Sequence, residues 1–153
     1  MKKLIVFMFL LCCFVGTIFF KDEKNPFFSI DGIEKVCFAA NEKIGCFDVE
    51  GVHCGDLVFN FCSIETAKSN LSELKKQSKS MQLYFQGGDV HQLLDSLKAE
   101  IVSTSEHEGL MVFNCYTPYE QSCVYVENKK VNLQIAVEGE KIVAGFPVIL
   151  TGF

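Results

Sequence analysis

Two stretches of the chain carry apolar residues at helical spacing. In each stretch the apolar side chains recur every three or four positions, so that they fall on one face of a helix. They are Ile64, Ala67, Leu71 and Leu74 in the first stretch, and Val90, Leu93, Leu94 and Leu97 in the second. Ser63 and Asp89 stand just before these stretches and belong to the residue types that cap helix N-termini. The pattern therefore predicts two amphipathic helices.

The segment from residue 32 to residue 62 alternates between outward and inward positions and predicts three strands. A two-residue turn at Asn41-Glu42 and a three-residue loop at Val49-Glu50-Gly51 would connect them as a meander. The resulting register separates phenylalanines from cysteines. The core face would carry Phe38, Phe47, Leu57, Phe59 and Phe61. The opposite face would carry Cys37, Cys46, Cys54 and Cys62.

Two turns in the C-terminal half predict a second meander. Asn128-Lys129 would pair Val126 with Val131, and Gly139-Glu140 would form a primed turn that pairs Val137 with Ile142. The strand between the turns alternates in polarity. Its inward residues would be Val131, Leu133, Ile135 and Val137, and its outward residues Asn132, Gln134 and Glu138.

The order of the predicted elements indicates the fold class. A strand at residues 81–86 ends at Gly87-Gly88, and Pro147 marks a bend before a last strand at 148–151. The order is then strands, helix, strand, helix and strands, with connections too short for parallel crossovers. This predicts an α+β domain in which two helices pack on one face of an antiparallel sheet built from hairpins.

The N-terminus is apolar over 17 residues, from Leu4 to Phe20, and follows Lys2 and Lys3. A stretch of this length is within the range that spans a bilayer. We expect residues 1–21 to be a single-pass signal-anchor that leaves the domain outside the cell membrane; a cleaved signal peptide and a secreted protein are the alternative. Residues 22–29 would be a linker, and residues 30–153 a single extracytoplasmic domain.

Charge excludes one class of partner. The 153 residues include 14 lysines, 19 acidic residues and no arginine. Beyond residue 21 the net charge is −8, because this part contains 11 lysines and all 19 acidic residues. Nucleic-acid binding depends on phosphate neutralisation and commonly on arginine, so we expect no nucleic acid as partner, and anionic surfaces should repel the exported part.

Cysteines are the main chemistry of the exported part. Six lie beyond the apolar run: Cys37, Cys46, Cys54, Cys62, Cys115 and Cys123. A loop at 118–120 would place Cys115 opposite Cys123, within disulfide reach. In the first meander Cys46 has two neighbours, Cys37 and Cys54, so either Cys62 takes the remaining cysteine or the register is wrong. Buried free thiols are the equal alternative.

The sequence predicts no catalytic, cofactor or metal site. The cysteine spacings are too wide for zinc, and His53 and Cys54 would point to opposite faces of a strand. Glu106-His107-Glu108 and His91 fit solvated positions, and Gly87-Gly88 lacks a phosphate-loop pattern. We therefore expect a protein that is not an enzyme.

Several stretches of the C-terminal half resemble the YwmB-like family. They are Leu97 to Val102, Asn114 to Pro118, Val126 to Val137 and Val143 to Ile149, within residues 81–153. Its members are exported proteins of spore-forming Gram-positive bacteria with a domain similar to the TATA-box-binding protein. The resemblance implies a curved antiparallel sheet with helices on one face and an extracytoplasmic location. It implies no biochemical activity and no catalytic residues.

Two functions are consistent with these features. The leading hypothesis is a membrane-anchored binding or scaffolding module whose exposed sheet face contacts another envelope protein or a peptide. Tyrosine is favoured at contact surfaces, so the candidate contact residues are Tyr84, Tyr116, Tyr119 and Tyr125. The alternative is a thiol enzyme or redox sensor that uses Cys54 or Cys62.

Overall fold

A computed structural model describes residues 26–45 and 50–150 of the chain. It begins with one 3-10 turn, Pro26–Phe28. The helices are α1 (Ile64–Gln77) and α2 (Val90–Ser96). The strands are β1 (Ile33–Ala40), β2 (Glu50–Cys54), β3 (Leu57–Cys62), β4 (Ser80–Gln86), β5 (Glu100–His107), β6 (Leu110–Tyr116), β7 (Val124–Val126), β8 (Lys129–Val131), β9 (Leu133–Glu138) and β10 (Lys141–Phe146).

Eight of these strands form one sheet in the order β2-β3-β1-β4-β10-β9-β6-β5. Every neighbouring pair in this sheet is antiparallel. β7 and β8 pair only with each other, as a small hairpin between β6 and β9. The predicted class, α+β with a large antiparallel sheet and two helices, is confirmed.

Both helices pack on the same face of the sheet, which we call the helix face; the other is the open face. Ser63 Oγ accepts a hydrogen bond from Thr66 N (3.1 Å) at the start of α1, and Asp89 Oδ1 accepts one from His91 N (2.8 Å) at the start of α2. The two predicted caps and helices are confirmed. Their apolar stripes join one core cluster with inward residues of the central strands, including Phe38, Leu83, Ile135, Ala144 and Phe146.

The first predicted meander is wrong. Residues 52–62, expected to be its third strand, lie in two strands, β2 and β3, which are joined by a turn at Gly55-Asp56, and β3 lies between β1 and β2. β1 pairs with β3 through Cys37 and Phe61, and β2 pairs with β3 through Val52 and Phe59. Glu50 and Gly51 of the expected loop at 49–51 instead belong to β2, and Val49 lies outside the described residues.

This order reverses the predicted faces of β3. Leu57, Phe59 and Phe61 lie on the open face together with Cys37, whereas Cys62 lies with Phe38 in the core of the helix face. Period-two alternation was correct, but the face that each strand presents to the helices depends on pairing between distant segments. Phe47 and Cys46 lie outside the described residues.

A buried asparagine holds the chain where it leaves β1. Asn60, fully buried on β3, accepts a hydrogen bond from Ile44 N (2.9 Å) and donates to Phe38 O (3.2 Å) and Val58 O (3.0 Å). A further bond reaches Glu42 O (3.4 Å). These bonds fix residues 41–45 on the helix face of β3, because the amide would otherwise be buried unsatisfied.

The second predicted meander is correct at one turn and wrong at the other. Gly139 has a φ of 59°, and Val137 pairs with Ile142, as predicted. The other turn lies one residue earlier, at Glu127-Asn128, so that Val126 pairs with Lys129 instead of Val131.

Asn132, predicted to face outward, is buried. Its amide accepts from Thr117 N (2.7 Å) and donates to the carbonyls of Thr117 (2.7 Å) and Glu120 (2.7 Å). It thereby closes the excursion that contains the β7–β8 hairpin. Glu120 in turn pairs with Lys75 of α1.

The chain crosses back over the open face after β10. The described part of the predicted last strand is not a strand; residues 147–150, which we call the strap, lie over Gly145. Ser80 Oγ donates to Val148 O (2.6 Å), and Ile149 N donates to Gln134 Oε1 (3.1 Å). The strap therefore covers the middle of the open face.

The packed structure begins earlier than predicted. Phe27 and Phe28 are buried in the core on the helix face, with 4% and 8% of their surface exposed. Residues 26–28, which fell in the predicted linker 22–29, thus belong to the folded part. The predicted anchor at 1–21 lies outside the described residues.

Candidate functional site

The open face differs in chemistry on the two sides of the strap. On the β9, β6 and β5 side it carries polar side chains, and Gln134 Nε2 donates to Asn114 Oδ1 (3.0 Å), while Asn114 Nδ2 donates to Ser103 Oγ (3.1 Å). On the β1, β3 and β2 side it is apolar and aromatic. The apolar side is the candidate functional site.

We call this site the β2 patch, defined as the open-face residues Lys35, Val52, Leu57, Phe59, Phe61 and Tyr84. Phe59 is packed with Cys37 and Ala39, and Leu57, Phe61 and Tyr84 are half-buried around them. Val52, on the edge strand directly opposite Phe59, is 47% exposed. The centre of the patch, around Phe59, is therefore packed, and its edge at Val52 is accessible to a partner.

Lys35 gives the aromatic part of the patch a positive charge. Its ammonium nitrogen lies 4.9 Å from the centroid of Phe61 and 4.7 Å from that of Tyr84. The two rings are 6.1 Å apart at an angle of 49°. A cation over two ring faces is attracted by both quadrupoles, so that Lys35 holds the rings in place while its own charge stays exposed.

The two edges of the sheet are protected to different degrees. β5 has an irregular register between Ile101 and Ser103 and carries Glu100, Glu106 and His107, features that discourage pairing with another strand. β2 has a regular register with β3 and only one charged residue, Glu50. Within the described part of the chain β2 pairs on one side only. It is the edge that an additional strand can join.

The four candidate tyrosines do not form one surface. Tyr84 belongs to the β2 patch, and Tyr116 lies three strands away on β6. Tyr119 packs against the core of the helix face, where Lys98 Nζ lies 5.8 Å from its ring. Tyr125, 66% exposed, lies on the separate hairpin. Only Tyr84 lies at the candidate site.

The cysteines divide into buried and exposed thiols. Cys37, Cys62 and Cys115 are buried, Cys54 and Cys123 are exposed, and all five are free thiols. Loss of solvation on burial raises the pKa of Cys37 to about 12 and of Cys62 and Cys115 to about 11. These three thiols stay protonated at neutral pH, which disfavours Cys62 as a nucleophile.

The register expected to join Cys115 to Cys123 is not formed. Cys115 pairs with Ile101 and Leu133 in the main sheet, and Cys123 precedes β7 of the separate hairpin. In the first half Cys37 lies opposite Phe61. The bridges that would involve Cys46 lie outside the described residues.

The histidines lie apart on the surface. His53 is on β2 and His91 on α2, while His107 ends β5 with Nε2 at 3.9 Å from Glu108 Oε1, both side chains being more than four-fifths exposed. In the parts of the chain that the structure describes, no group of three His, Cys, Asp or Glu side chains is placed to hold a metal ion.

A groove of about 370 Å³ opens on the helix face beside Gly87-Gly88. Phe85, Leu93 and Ile142 line its apolar part, and Asp31, Gln92 and neighbouring polar residues line its rim. Its volume falls in the range of small-molecule sites. Sequence reasoning missed this groove, because its walls come from four separate segments and none carries a motif.

Comparison with known proteins gives no relative: no protein family, curated protein or solved structure matches the chain. Neither α1 nor α2, the helices of the described residues, is long and apolar enough to cross a membrane. The candidate site therefore rests on its own geometry.

Proposed function

We propose that the chain is a membrane-anchored, extracytoplasmic binding module of the cell envelope that captures an extended segment of another envelope polypeptide along β2. One observation carries the proposal: the unprotected sheet edge adjoins the apolar β2 patch. The edge offers main-chain hydrogen bonds, and the patch offers contacts for every second side chain of an added strand. The membrane anchor of the proposal is the apolar run Leu4 to Phe20.

The chemistry of the patch defines the partner segment. On the open face an added strand would lie next to Val52 and Cys54, which are exposed and uncharged. We expect apolar side chains at alternate positions of the partner. Burial of the exposed apolar surface of the patch by these side chains would stabilise the complex.

We further propose a fold similar to that of the TATA-box-binding protein, as in the YwmB-like family. Support comes from the antiparallel sheet with both helices on one face and from the Gly139 hairpin that leads into Gly145 and Pro147. Superposition of an experimental structure on that fold tests this assignment. A mismatch in strand order would refute it without affecting the β2 patch.

Photo-crosslinking in intact cells tests the binding function. A photoreactive amino acid at Val52 should give crosslinks to another polypeptide, whereas the same group at Ser105, exposed on the open face of β5, should not. In a second pair, Val52→Lys should abolish crosslinks from position 54 and Ser105→Lys should leave them unchanged. Recovery of the uncrosslinked chain alone from both positions would refute the proposal.

A further inference from the structure

The described chain begins at one end of the sheet. The Phe27 ring packs edge-to-face on Phe146 with the centroids 4.7 Å apart, and Lys75 Nζ lies 4.9 Å from the Phe27 centroid. Phe146 is the last residue of β10, and Lys75 lies in the last turn of α1. We call this the proximal end, where β4, β5 and β9 begin; at the distal end β1, β6 and β10 begin.

Little chain separates the proximal end from the apolar run. Five residues, 21–25, lie between Phe20 at the end of the apolar run and Pro26 at the start of the described chain. Fully extended, five residues cover at most about 17 Å. The headgroup layer on one side of a bilayer is about 5–7 Å thick. With Leu4 to Phe20 in the membrane, the proximal end has to lie near the headgroups.

Charge is distributed unevenly between the two ends. Among the described residues, the distal end carries nine exposed carboxylates and three lysines. The carboxylates are Asp31, Glu34, Glu50, Glu65, Asp89, Glu106, Glu108, Glu138 and Glu140, and the lysines are Lys35, Lys68 and Lys141. This end is strongly acidic.

The proximal end has no net charge. Its described lysines are Lys43, Lys75, Lys76, Lys79, Lys98 and, on the adjoining hairpin, Lys129 and Lys130; its carboxylates are Glu42, Asp56, Glu73, Asp95, Glu100, Glu120 and, on the hairpin, Glu127. Glu120 is buried against Lys75. Lys76 and Lys79 are exposed, and neither forms an ion pair with another described residue.

We infer that the domain stands on an anionic phospholipid surface with its proximal end against the headgroups, an inference that rests on the proposed membrane anchoring. Lys76 and Lys79, at the end of α1 near Pro26, make the contact. The strands have six to eight residues around the sheet centre and so measure roughly 20–27 Å. The distal carboxylates are then more than two Debye lengths, about 8–10 Å each, from the headgroup charge.

The negative net charge of the exported part does not oppose this orientation. Screening makes the charges nearest the surface dominate, so the proximal end, which has no net charge, can approach the lipid through Lys76 and Lys79 although the domain as a whole is acidic. Any orientation that brought the distal end to the surface would place nine carboxylates near anionic lipid. The uneven charge thus selects one orientation, which also leaves the β2 edge accessible from the side.

Fluorescence quenching in vesicles tests the inference. The full-length chain, with a coumarin amino acid at Cys123 near the proximal end or at Glu140 at the distal end, is reconstituted into vesicles that contain a headgroup-linked nitroxide quencher. In vesicles of phosphatidylcholine with phosphatidylglycerol, we expect quenching at position 123 to exceed that at position 140 several-fold. The Lys76→Glu/Lys79→Glu variant should reduce this ratio, and Lys141→Glu, a distal control, should leave it unchanged.

The outcomes separate the two proposals. Co-flotation of the chain with vesicles but equal quenching at both positions would overturn the orientation alone. A quenching ratio that is the same with and without phosphatidylglycerol would overturn the role of lipid charge. A chain that fails to float with either vesicle would overturn the anchoring, and the orientation with it.

Discussion

Replacement of Gly145 by alanine should detach the strap from the open face. A Cβ at this position would lie 2.5 Å from Ile149 N and from the Val148 carbonyl carbon, and 2.6 Å from Val148 O. These are backbone atoms, which cannot rotate away as the end of a side chain does. Gly145 is held between β4 and β9, so the strap has to move.

The expected loss of stability follows from the contacts that the strap makes. Displacement breaks the Ser80–Val148 and Ile149–Gln134 hydrogen bonds. At a net ~0.5–1.5 kcal/mol each, their loss lowers the free energy of unfolding by about 1–3 kcal/mol. For a domain of this size a loss of about 2 kcal/mol corresponds to a decrease in Tm of roughly 4–8 °C.

Thermal unfolding followed by circular dichroism measures this loss, and carboxypeptidase digestion followed by mass spectrometry measures release of the strap. Gly145→Ala should lower the Tm and speed C-terminal trimming. Gly45→Ala is the matched control, because a Cβ there meets nothing within 4 Å and the residue has no positive φ. Wild-type values of both Tm and trimming rate in Gly145→Ala would show that the strap does not need a glycine beneath it.

Three further predictions concern the core and the helix caps. Asn60→Leu should lower the free energy of unfolding by about 2–4 kcal/mol, because four hydrogen bonds to buried backbone are lost. In urea denaturation the control Asn114→Leu, at a half-buried position of the open face, should lower it clearly less. Equal losses in the two variants would contradict the role of Asn60. Burial raises the pKa of Cys115 from 9.0 to about 11. Between these pH values only the thiol of the unfolded chain ionises, so the free energy of unfolding should fall as the pH rises through that range. An identical decline in Cys115→Ala would contradict this. Asp89→Ala should cost about 1 kcal/mol through loss of the α2 cap, and an unchanged urea midpoint would show that the cap contributes nothing.

Local signals in the sequence were sufficient for the helices and for one hairpin. Ser63 and Asp89 act within three residues of themselves, and Gly139 determines a turn through its own φ. Such features depend on neighbours in the chain, so they can be recognised without knowing the rest of the fold.

The first three strands could not be ordered from the sequence because their pairing is non-local. Alternation shows which residues of a strand share a face, but not which strand lies beside it. The fixed point is Asn60, which binds Ile44 across sixteen residues of chain. An asparagine within an apolar strand is the one signal that a buried connection passes there.

The candidate site was predicted only in part, for the same reason. Residue type alone indicates Tyr84 as a contact residue, and it does lie in the β2 patch. Alternation predicts Phe59 and Phe61 in the core under the helices, whereas they lie on the open face of β3. The patch exists because β3 is inserted between β1 and β2, so no local pattern could reveal it.

Reactivity of Cys54 and Cys123, the natural thiols that are exposed in the described part of the chain, tests binding at β2. Cys54 lies on the open β2 edge, and Cys123 lies away from it, before β7. A membrane-impermeant maleimide is applied to intact cells and to the purified full-length chain in vesicles, and mass spectrometry gives the labelling at each site. The vesicle sample has the same membrane but no partner, so it supplies the reference ratio.

Both thiols should react in vesicles. In cells, Cys123 should react while Cys54 is protected several-fold by a strand bound at β2. A Cys54-to-Cys123 labelling ratio that is the same in cells and vesicles would contradict binding at β2. Labelling of both thiols only after the cells are lysed would contradict an extracytoplasmic domain.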